Sequence, residues 1–394
     1  MKLIRTAAES AVESTAELTA GYQTNRPHRP ETIAVPHTAA EVREALALAG
    51  DGPLAVQSSG HGRVTALDGG VLISTAELTG VTVDPEARTA RIAAGTTWGD
   101  VVAATTPHGL APVNGSSPGV GVVGYLRGGG FGILGRAFGY AADLIRSIEG
   151  VERDGSLVRL DRIPALGTDA GSTGDVDEAA GLIVTAVEIG LVELPEVWGG
   201  TLTLTIDESL PAAFAAAVED LPAEVSASLS LVPLPDVPAL PPHLRGTHLA
   251  QIRVVGTREH PLDALRKIGE VTAEDLRWRP YSKAHTIHSD PTDPHSYAGE
   301  ARFLRAADAD ALDTVVAATG PGAAVPSVVE IRPLGGALAR PTVTDAPRDA
   351  QFLLRAVTAL DPVPEPAARA AHGSLFAPFA ADDLGAARTF CYGR

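Results

Sequence analysis

The sequence holds a single cysteine, Cys391, in 394 residues. No intrachain disulfide can form, which suits a reducing compartment such as the cytoplasm. No run of lysine and arginine is present either. Acidic residues outnumber basic ones, 48 to 31, for a net charge of −17. A chain of this charge repels DNA, RNA and anionic lipid, so neither a nucleic acid nor a membrane is expected as a partner. The opening residues, MKLIRTAAESAVES, contain no apolar stretch long enough for a signal peptide, and no segment is long enough to span a membrane. No internal repeat is apparent.

What is present is a globular composition, 45% hydrophobic and 20% charged. The length suits roughly two or three domains. The N-terminus reads as a polar, Ala-rich helix. ETIAVPHTAAEVREALALAG predicts a short strand and then a helix, with Thr38 and Glu41 as a capping box. GPLAVQSSGHGR is a strand running into a Gly/Ser loop. GVLIST and GVTVDPEARTARIAAG give further strands, with a turn at Asp84-Pro85. Thr97 and Asp100 open another helix. IRSIEGVERDGSLVRLD predicts a hairpin turning at Asp154-Gly155. A loop at about 161–178 leads to the apolar strand GLIVTAVEIGLVEL. From Pro195 the character changes. TLTLTIDESLPAAFAAAVEDL, HLAQIRVVG and PLDALRKIGEV, around a proline-rich stretch near 233–243, predict a second α+β domain with an antiparallel sheet.

The stretch from Ser116 to Arg136, SSPGVGVVGYLRGGGFGILGR, is dense in glycine. Gly119, Gly121 and Gly124 fit G-x-G-x-x-G, the spacing of a dinucleotide fingerprint. That fingerprint needs an apolar strand directly before it and a helix directly after. Pro118 interrupts the first, and Gly128-Gly129-Gly130 is poor helix, so the match is set aside. A flexible linker would be polar, whereas Val120, Val122, Val123, Leu126, Phe131, Ile133 and Leu134 separate these glycines. The pattern suits a backbone pressed against something flat or charged, with several positive φ angles. A second loop, QSSGHGR from Gln57 to Arg63, offers small side chains and free N–H groups that can cradle a pyrophosphate. His61 sits within it.

Together these segments resemble the flavoproteins of the vanillyl-alcohol oxidase and para-cresol methylhydroxylase superfamily, and within it the berberine-bridge-enzyme-like oxidases. The resemblance is carried by LAVQSSGHGRV, DGGVLIST, VDPEARTARIAAGTTWGDV and PHGLAPVNGSSPGVGVVGYLRGGGFGILGRAFGYAAD, and later by HSDPTDP and EIRPLGGALARP. It runs from about residue 22 to 345. It implies an α+β fold with a two-subdomain FAD-binding domain, about 1–195, and a substrate domain, about 196–375. A truncated C-terminal segment, 376–394, then ends near where relatives begin a strand and further segment that return to the FAD domain. Ser58, Ser59, Gly60, His61 and Gly62 would hold the pyrophosphate. His61 occupies the position that in relatives often bonds the flavin covalently. The family's G-x-C-P motif reads Gly115-Ser116-Ser117-Pro118, so Ser117 removes a second, cysteinyl link. Gly119, Gly121, Val122, Gly124, Gly128, Gly129 and Val184 would line the cofactor. The family's G-G-x-x-N-F-G run is replaced by GSTGDVDEAAGLIVTAVEI, with Leu182 where the last glycine is expected.

Flavin oxidation needs a base, an oxyanion-type donor and a dry pocket. In SVVEIRPLGG the period of two puts Glu330 and Arg332 on one face. Glu330 is a candidate base and Arg332 an anchor for an anion or carbonyl. The alternative is a surface ion pair on an edge strand. Tyr125 is a second candidate base, with a buried structural tyrosine as the alternative. In HTIHSDPTDPH, the residues His285, His288, Asp290, Asp293 and His295 could be metal ligands. Pro291 breaks helical spacing and no H-E-x-x-H-like pattern supports zinc, so no metal is expected. His288 and Asp290 would instead shape a turn or touch substrate. Three functions remain open: an FAD-dependent oxidase of a small molecule, perhaps of secondary metabolism, with oxygen as co-substrate; a flavoprotein steering a non-redox cyclisation; or a small-molecule binding or resistance protein.

Overall fold

The structure, a computed structural model, describes residues 1–6, 12–161, 176–177, 181–238, 240–320, 322–341 and 343–392. The expected loop at 161–178 and most of the altered region before Leu182 lie outside the described residues. Among the described residues, no helix is long and apolar enough to cross a membrane.

The chain opens with a strand, Lys2–Arg5, and its first helix is Val12–Ala20. The expected polar, Ala-rich helix is therefore present, but a strand precedes it, because the edge of Thr32–Val35 takes up the first residues as an antiparallel neighbour, with Ile4 opposite Ile33 and packed on the apolar cluster there. Val71–Ser74 and Leu54–Gln57 complete this four-stranded sheet in parallel. Parallel strands are buried on both faces. Here Ile33, Val35 and Leu72 fill one side, while Ala34, Val56 and Ile73 meet Val42, Ala45 and Leu46 of the helix Ala39–Ala49 on the other. Thr38 caps that helix through the Glu41 N–H at 3.2 Å. The capping box is only half made, because the Glu41 carboxylate turns to the His37 N–H at 2.7 Å and to the N-terminal ammonium. The Thr97–Asp100 box is complete.

A six-stranded antiparallel sheet follows, built on Val81–Asp84, Thr89–Ala93, Leu182–Gly190, Ile145–Glu152 and Leu157–Leu160 in that order. Its last pair is the expected hairpin, with Gly155 at φ 86°. The glycine-dense run contains one short helix, Val122–Arg127, directly after Gly121. Gly128-Gly129-Gly130 is not helical, as expected; the helix before it, which the sequence reading did not propose, is driven by Val122, Val123 and Leu126, which bury in the core of this half.

The second half is a nine-stranded antiparallel sheet. Its central strands are, side by side, Glu196–Leu204, His248–Gly256, Val225–Pro233, Val328–Pro333, Phe352–Ala359 and Tyr297–Leu304, and Asp383–Ala386 forms an edge. PLDALRKIGEV makes a single helical turn, Asp263–Arg266, and then the strand Val271–Glu274. The period of two splits every central strand. Ala227, Leu229, Leu231, Ile252, Val254, Val329, Ile331, Leu354 and Ala356 face the helices Leu210–Ala217, Ala309–Thr319 and Glu365–Phe376. Fully burying each large side chain contributes about 1.5–3 kcal/mol. The alternate residues, Ser226, Ser228, Ser230, Arg253, Glu330, Arg332 and Arg355, face the first half. Arg136 of the turn Gly135–Phe138 crosses that seam. Its Nε donates to the Val225 carbonyl at 3.0 Å, and its two Nη groups donate to the carbonyls of Leu221, Pro222 and Leu334.

Candidate functional site

The strand Leu54–Gln57 delivers the loop Ser58–Arg63. Gly60 and Gly62 take φ values of 74° and 67°, which cost a side-chain-bearing residue about 1 kcal/mol or more each. The loop pairs with the preceding segment: the Tyr22 N–H donates to the Ser59 carbonyl at 3.0 Å, and the Gln23 N–H to Gly60 at 3.1 Å. Glycine is required at position 60, where a Cβ would lie 2.6 Å from the Gly21 Cα. Gly62 lies under the ring of Tyr392, 3.5 Å from the place of its missing Cβ. The Arg63 guanidinium, buried below, donates to the Gln57 side chain and the Arg26 carbonyl.

The start of the glycine-dense run lies on this loop. Gly121 N–H donates to Ser59 Oγ at 3.0 Å. A Cβ at Gly121 would stand 2.7 Å from Ser58 Oγ, and one at Gly119 would stand 3.6 Å from His61 Cε1. Helix Trp98–Thr105 pins the run, through Trp98 N–H to the Val120 carbonyl at 3.0 Å and Gly99 N–H to Pro118 at 2.8 Å. Ser58, Ser59, His61, Gly119 and Gly121 therefore come together as expected. His61 stacks on Tyr22 at 3.7 Å, and its Nδ1 meets Ser59 Oγ at 2.9 Å. Burial lowers its pKa to about 4, with His295 adding to the shift and Asp290 opposing it. The ring is thus neutral at neutral pH. Its Nε2 and Ser58 Oγ are both buried without a protein partner. Two orphaned polar atoms over a backbone with no room for Cβ atoms fit a cofactor that brings its own donors and acceptors.

The remaining expected cofactor residues spread outward. Ser116 Oγ donates to Asp290, and the Ser117 carbonyl accepts the Val120 N–H at 3.4 Å. A Cβ at Gly115 would touch the Tyr125 ring at 3.2 Å. Gly124 lies inside the short helix. Gly128 and Gly129 border Thr389 and Thr344, in a cleft of about 280 Å³ that also reaches Tyr140, Arg388 and Phe390. Val122 and Val184 belong to the apolar core, and the structure places neither side chain at the loop surface.

Glu330 and Arg332 stand on a central strand, not an edge, and both are buried. The surface-pair alternative is therefore overturned. Arg332 Nη2 lies 2.7 Å from Glu330 Oε1, and Arg355 Nη1 lies 3.6 Å from Oε2. Burial pushes the Glu330 carboxyl up, but Arg332 and Arg355 outweigh it and hold it well below the carboxylate range. The Arg332 guanidinium also sits 5.0 Å over the Phe131 ring. Tyr125 has a buried hydroxyl with no partner, and burial raises its pKa well above 10. His288 borders the same interior space as Arg332, Arg253 and Phe131. Burial lowers it to about 4, Asp290 opposing, and its Nδ1 is unpartnered. No three histidine, cysteine or acidic side chains converge as metal ligands among the described residues; His295 Nδ1 instead lies 2.9 Å from the Asp293 carbonyl.

Sequence reasoning missed Tyr22, Tyr297, Tyr392, Arg253 and Arg355. The C-terminal residues do reach the first half: the Thr389 hydroxyl donates to the Gly128 carbonyl, and Tyr392 lies between Gly62 and Gly299. One signal was available for the sheet face that Arg253 shares. VSASLSLVP alternates serine with apolar residues, which marks a strand with one polar face turned to a site.

Residues 30–161 match the family model of an FAD binding domain. (R)-6-hydroxynicotine oxidase of Paenarthrobacter nicotinovorans is 33% identical over 174 residues, 42% of this chain and 37% of that protein. The bifunctional solanapyrone synthase of Alternaria solani is 31% identical over 179 residues, 43% of this chain and 33% of that one. These matches span about a third of the length of the curated relatives. Among solved structures, 6-hydroxy-D-nicotine oxidase from Arthrobacter nicotinovorans superposes with a TM-score of 0.78 at 20% identity, covering 99% of this chain and 88% of that one. Xylooligosaccharide oxidase from Myceliophthora thermophila gives 0.81 at 18% identity, covering 98% and 88%.

Proposed function

We propose that this chain, whose residues 30–161 are an FAD-binding domain on the fold of the vanillyl-alcohol oxidase and para-cresol methylhydroxylase flavoproteins, is an FAD-dependent oxidase of a small organic molecule. Its domains divide near Pro195. The observation that carries the reading is the His61 loop, packed against Gly119 and Gly121, in which His61 Nε2 and Ser58 Oγ are buried without a protein partner. Asp290, which accepts from Ser116 Oγ in the run that packs on this loop, acts on both His61 and His288, and His288 borders the same space as Arg253 and Arg332. The loop Ser58–Gly62 and residues 115–121 would hold FAD, with His61 as the single covalent anchor. Its neutral imidazole is the nucleophilic form, while the Ser117 hydroxyl is a far poorer nucleophile than a thiolate. Covalent FAD in a relative supports this: one neighbouring structure is described as a 6-S-cysteinyl, 8α-N1-histidyl FAD enzyme. Bound FAD would supply a two-electron acceptor, with molecular oxygen as the final oxidant.

The side chains divide the remaining work. Glu330 is too firmly ionised to be an effective base; it orients Arg332 and Arg355. Arg332 faces the substrate as a donor. His288, neutral and with a free nitrogen, takes the substrate proton. The Tyr125 hydroxyl serves as a donor, since burial disfavours its anion. Secondary metabolism in the cytoplasm fits the small-molecule relatives and the single cysteine. The visible spectrum of the purified chain tests the reading. Flavin absorption that bleaches anaerobically with substrate supports an oxidase, and turnover without bleaching supports a non-redox cyclisation. Colourless protein that cannot be reconstituted with FAD overturns the whole.

A further inference from the structure

The polar face of the large sheet carries more positive than negative charge. Arg253, Arg332 and Arg355 stand on it, with Glu330 as the facing carboxylate. The residues lie in two neighbouring rows: Gln251, Ser230, Glu330 and Arg355 stand opposite one another in turn, and Arg253 is opposite Ser228 in the next row. The Glu330 oxygens are taken by Arg332 and Arg355, at 2.7 and 3.6 Å. Arg253 is left with neutral acceptors. Its guanidinium donates to Ser230 Oγ, and to Gln251 Oε1 at 2.9 Å. Ser228 beside it is 2% exposed, and its hydroxyl has no partner. Arg253, Ser228, His288 and Arg332 border the same interior space against Phe131. Glu330 and Asp290 act on this half-buried guanidinium, but neither carboxylate hydrogen-bonds to it, and a guanidinium removed from water gains most from a carboxylate in direct contact.

We propose that the substrate carries a carboxylate, which Arg253 and the Ser228 hydroxyl bind. The inference rests on the oxidase reading and narrows its substrate class to small organic acids. Arginine's planar fork matches a carboxylate with two parallel hydrogen bonds. Ser228 adds a third, and Arg332 remains available beside it.

The test uses the FAD-loaded full chain and two pairs of probes equal in shape, benzoate with benzamide and acetate with acetamide. Binding is read by calorimetry and by perturbation of the flavin spectrum. Each carboxylate is expected to bind at least about tenfold more tightly than its amide, the worth of a hydrogen bond to a charged group. Arg253→Met should remove that preference, with flavin content and melting temperature retained; Arg253→Lys should keep part of it. Equal binding of acid and amide by the native protein overturns the proposal without needing any variant. So does an Arg253→Met protein that keeps the full preference. Failure to take up FAD would instead strike the oxidase reading, so the two failures are distinguishable.

Discussion

The loop Ser58–Arg63 and the polar face of the large sheet are built in opposite ways. The loop uses backbone: glycines at positive φ, small side chains, and two polar atoms left without partners. The sheet face uses long charged side chains on a regular backbone, each held by its neighbours on adjacent strands. The loop therefore cannot accept added atoms, and the face cannot lose charges. Shape governs the first region and charge balance the second.

Acidification should give the largest effect, and it reaches both regions. His28 and His61 near the loop, His288 at the sheet face and His372 beneath the sheet are all lowered from 6.5 to about 4, chiefly by burial. The unfolded chain binds more protons than the fold between those values. Stability is then complete above pH 6.5 and is lost as pH falls toward 4, by up to about 1.4 kcal/mol per pH unit for each histidine. Melting temperatures from pH 7 to 4 check this, and a flat profile would show that the rings titrate in the fold as they do in the unfolded chain.

Adding atoms to the loop comes next. Gly60→Ala places a Cβ against the Gly21 backbone at positive φ. It is expected to cost about 3 kcal/mol and to abolish FAD retention, read by thermal melting and flavin content. Removing charge from the face should be comparable or slightly smaller. Glu330→Gln strands Arg332 and Arg355, at a cost of about 3 kcal/mol. The native carboxyl is depressed from an ordinary 4.5. Its contribution is present above that pH and lost as pH falls through the lower folded value, so the variant should lose that part of the acid sensitivity. If Glu330→Gln slows flavin reduction at full stability, Glu330 is the base after all. The smallest stability change belongs to His61→Ala, about 1 kcal/mol for one ring contact and one hydrogen bond. The denatured native protein should fluoresce under ultraviolet light and this variant should not. Fluorescence that persists would assign the covalent link to another residue.

The same contrast explains what the sequence made legible. A backbone-built site leaves a local signature, because positive φ and close approach demand glycine at fixed spacings within one loop. QSSGHGR and the run after Ser117 could be read directly for that reason. The sheet face is assembled from strands far apart in sequence. Arg253 and Arg355 look like ordinary strand residues until Ser230 and Glu330 are set opposite them. Glu330 and Arg332 were placed on one face by the period of two, but whether the strand was central or an edge depended on pairings that no local window contains. Tyr22 and Tyr392 were missed for the same reason, since each meets His61 or Gly62 only through chain folding.

Arg136 joins the halves that carry these two regions. Carbonyl oxygens of Leu221, Pro222, Val225 and Leu334 converge on its guanidinium, which is 9% exposed. Swinging the halves apart would strip those acceptors from a buried cation together, and each such bond is worth about 1.5–3 kcal/mol. The seam therefore behaves as a rivet, and the setting of the two halves against each other is fixed when the chain folds, whereas the cleft rimmed by Thr344 and Arg388 beside Gly129 is bounded by loop residues that carry no such clamp.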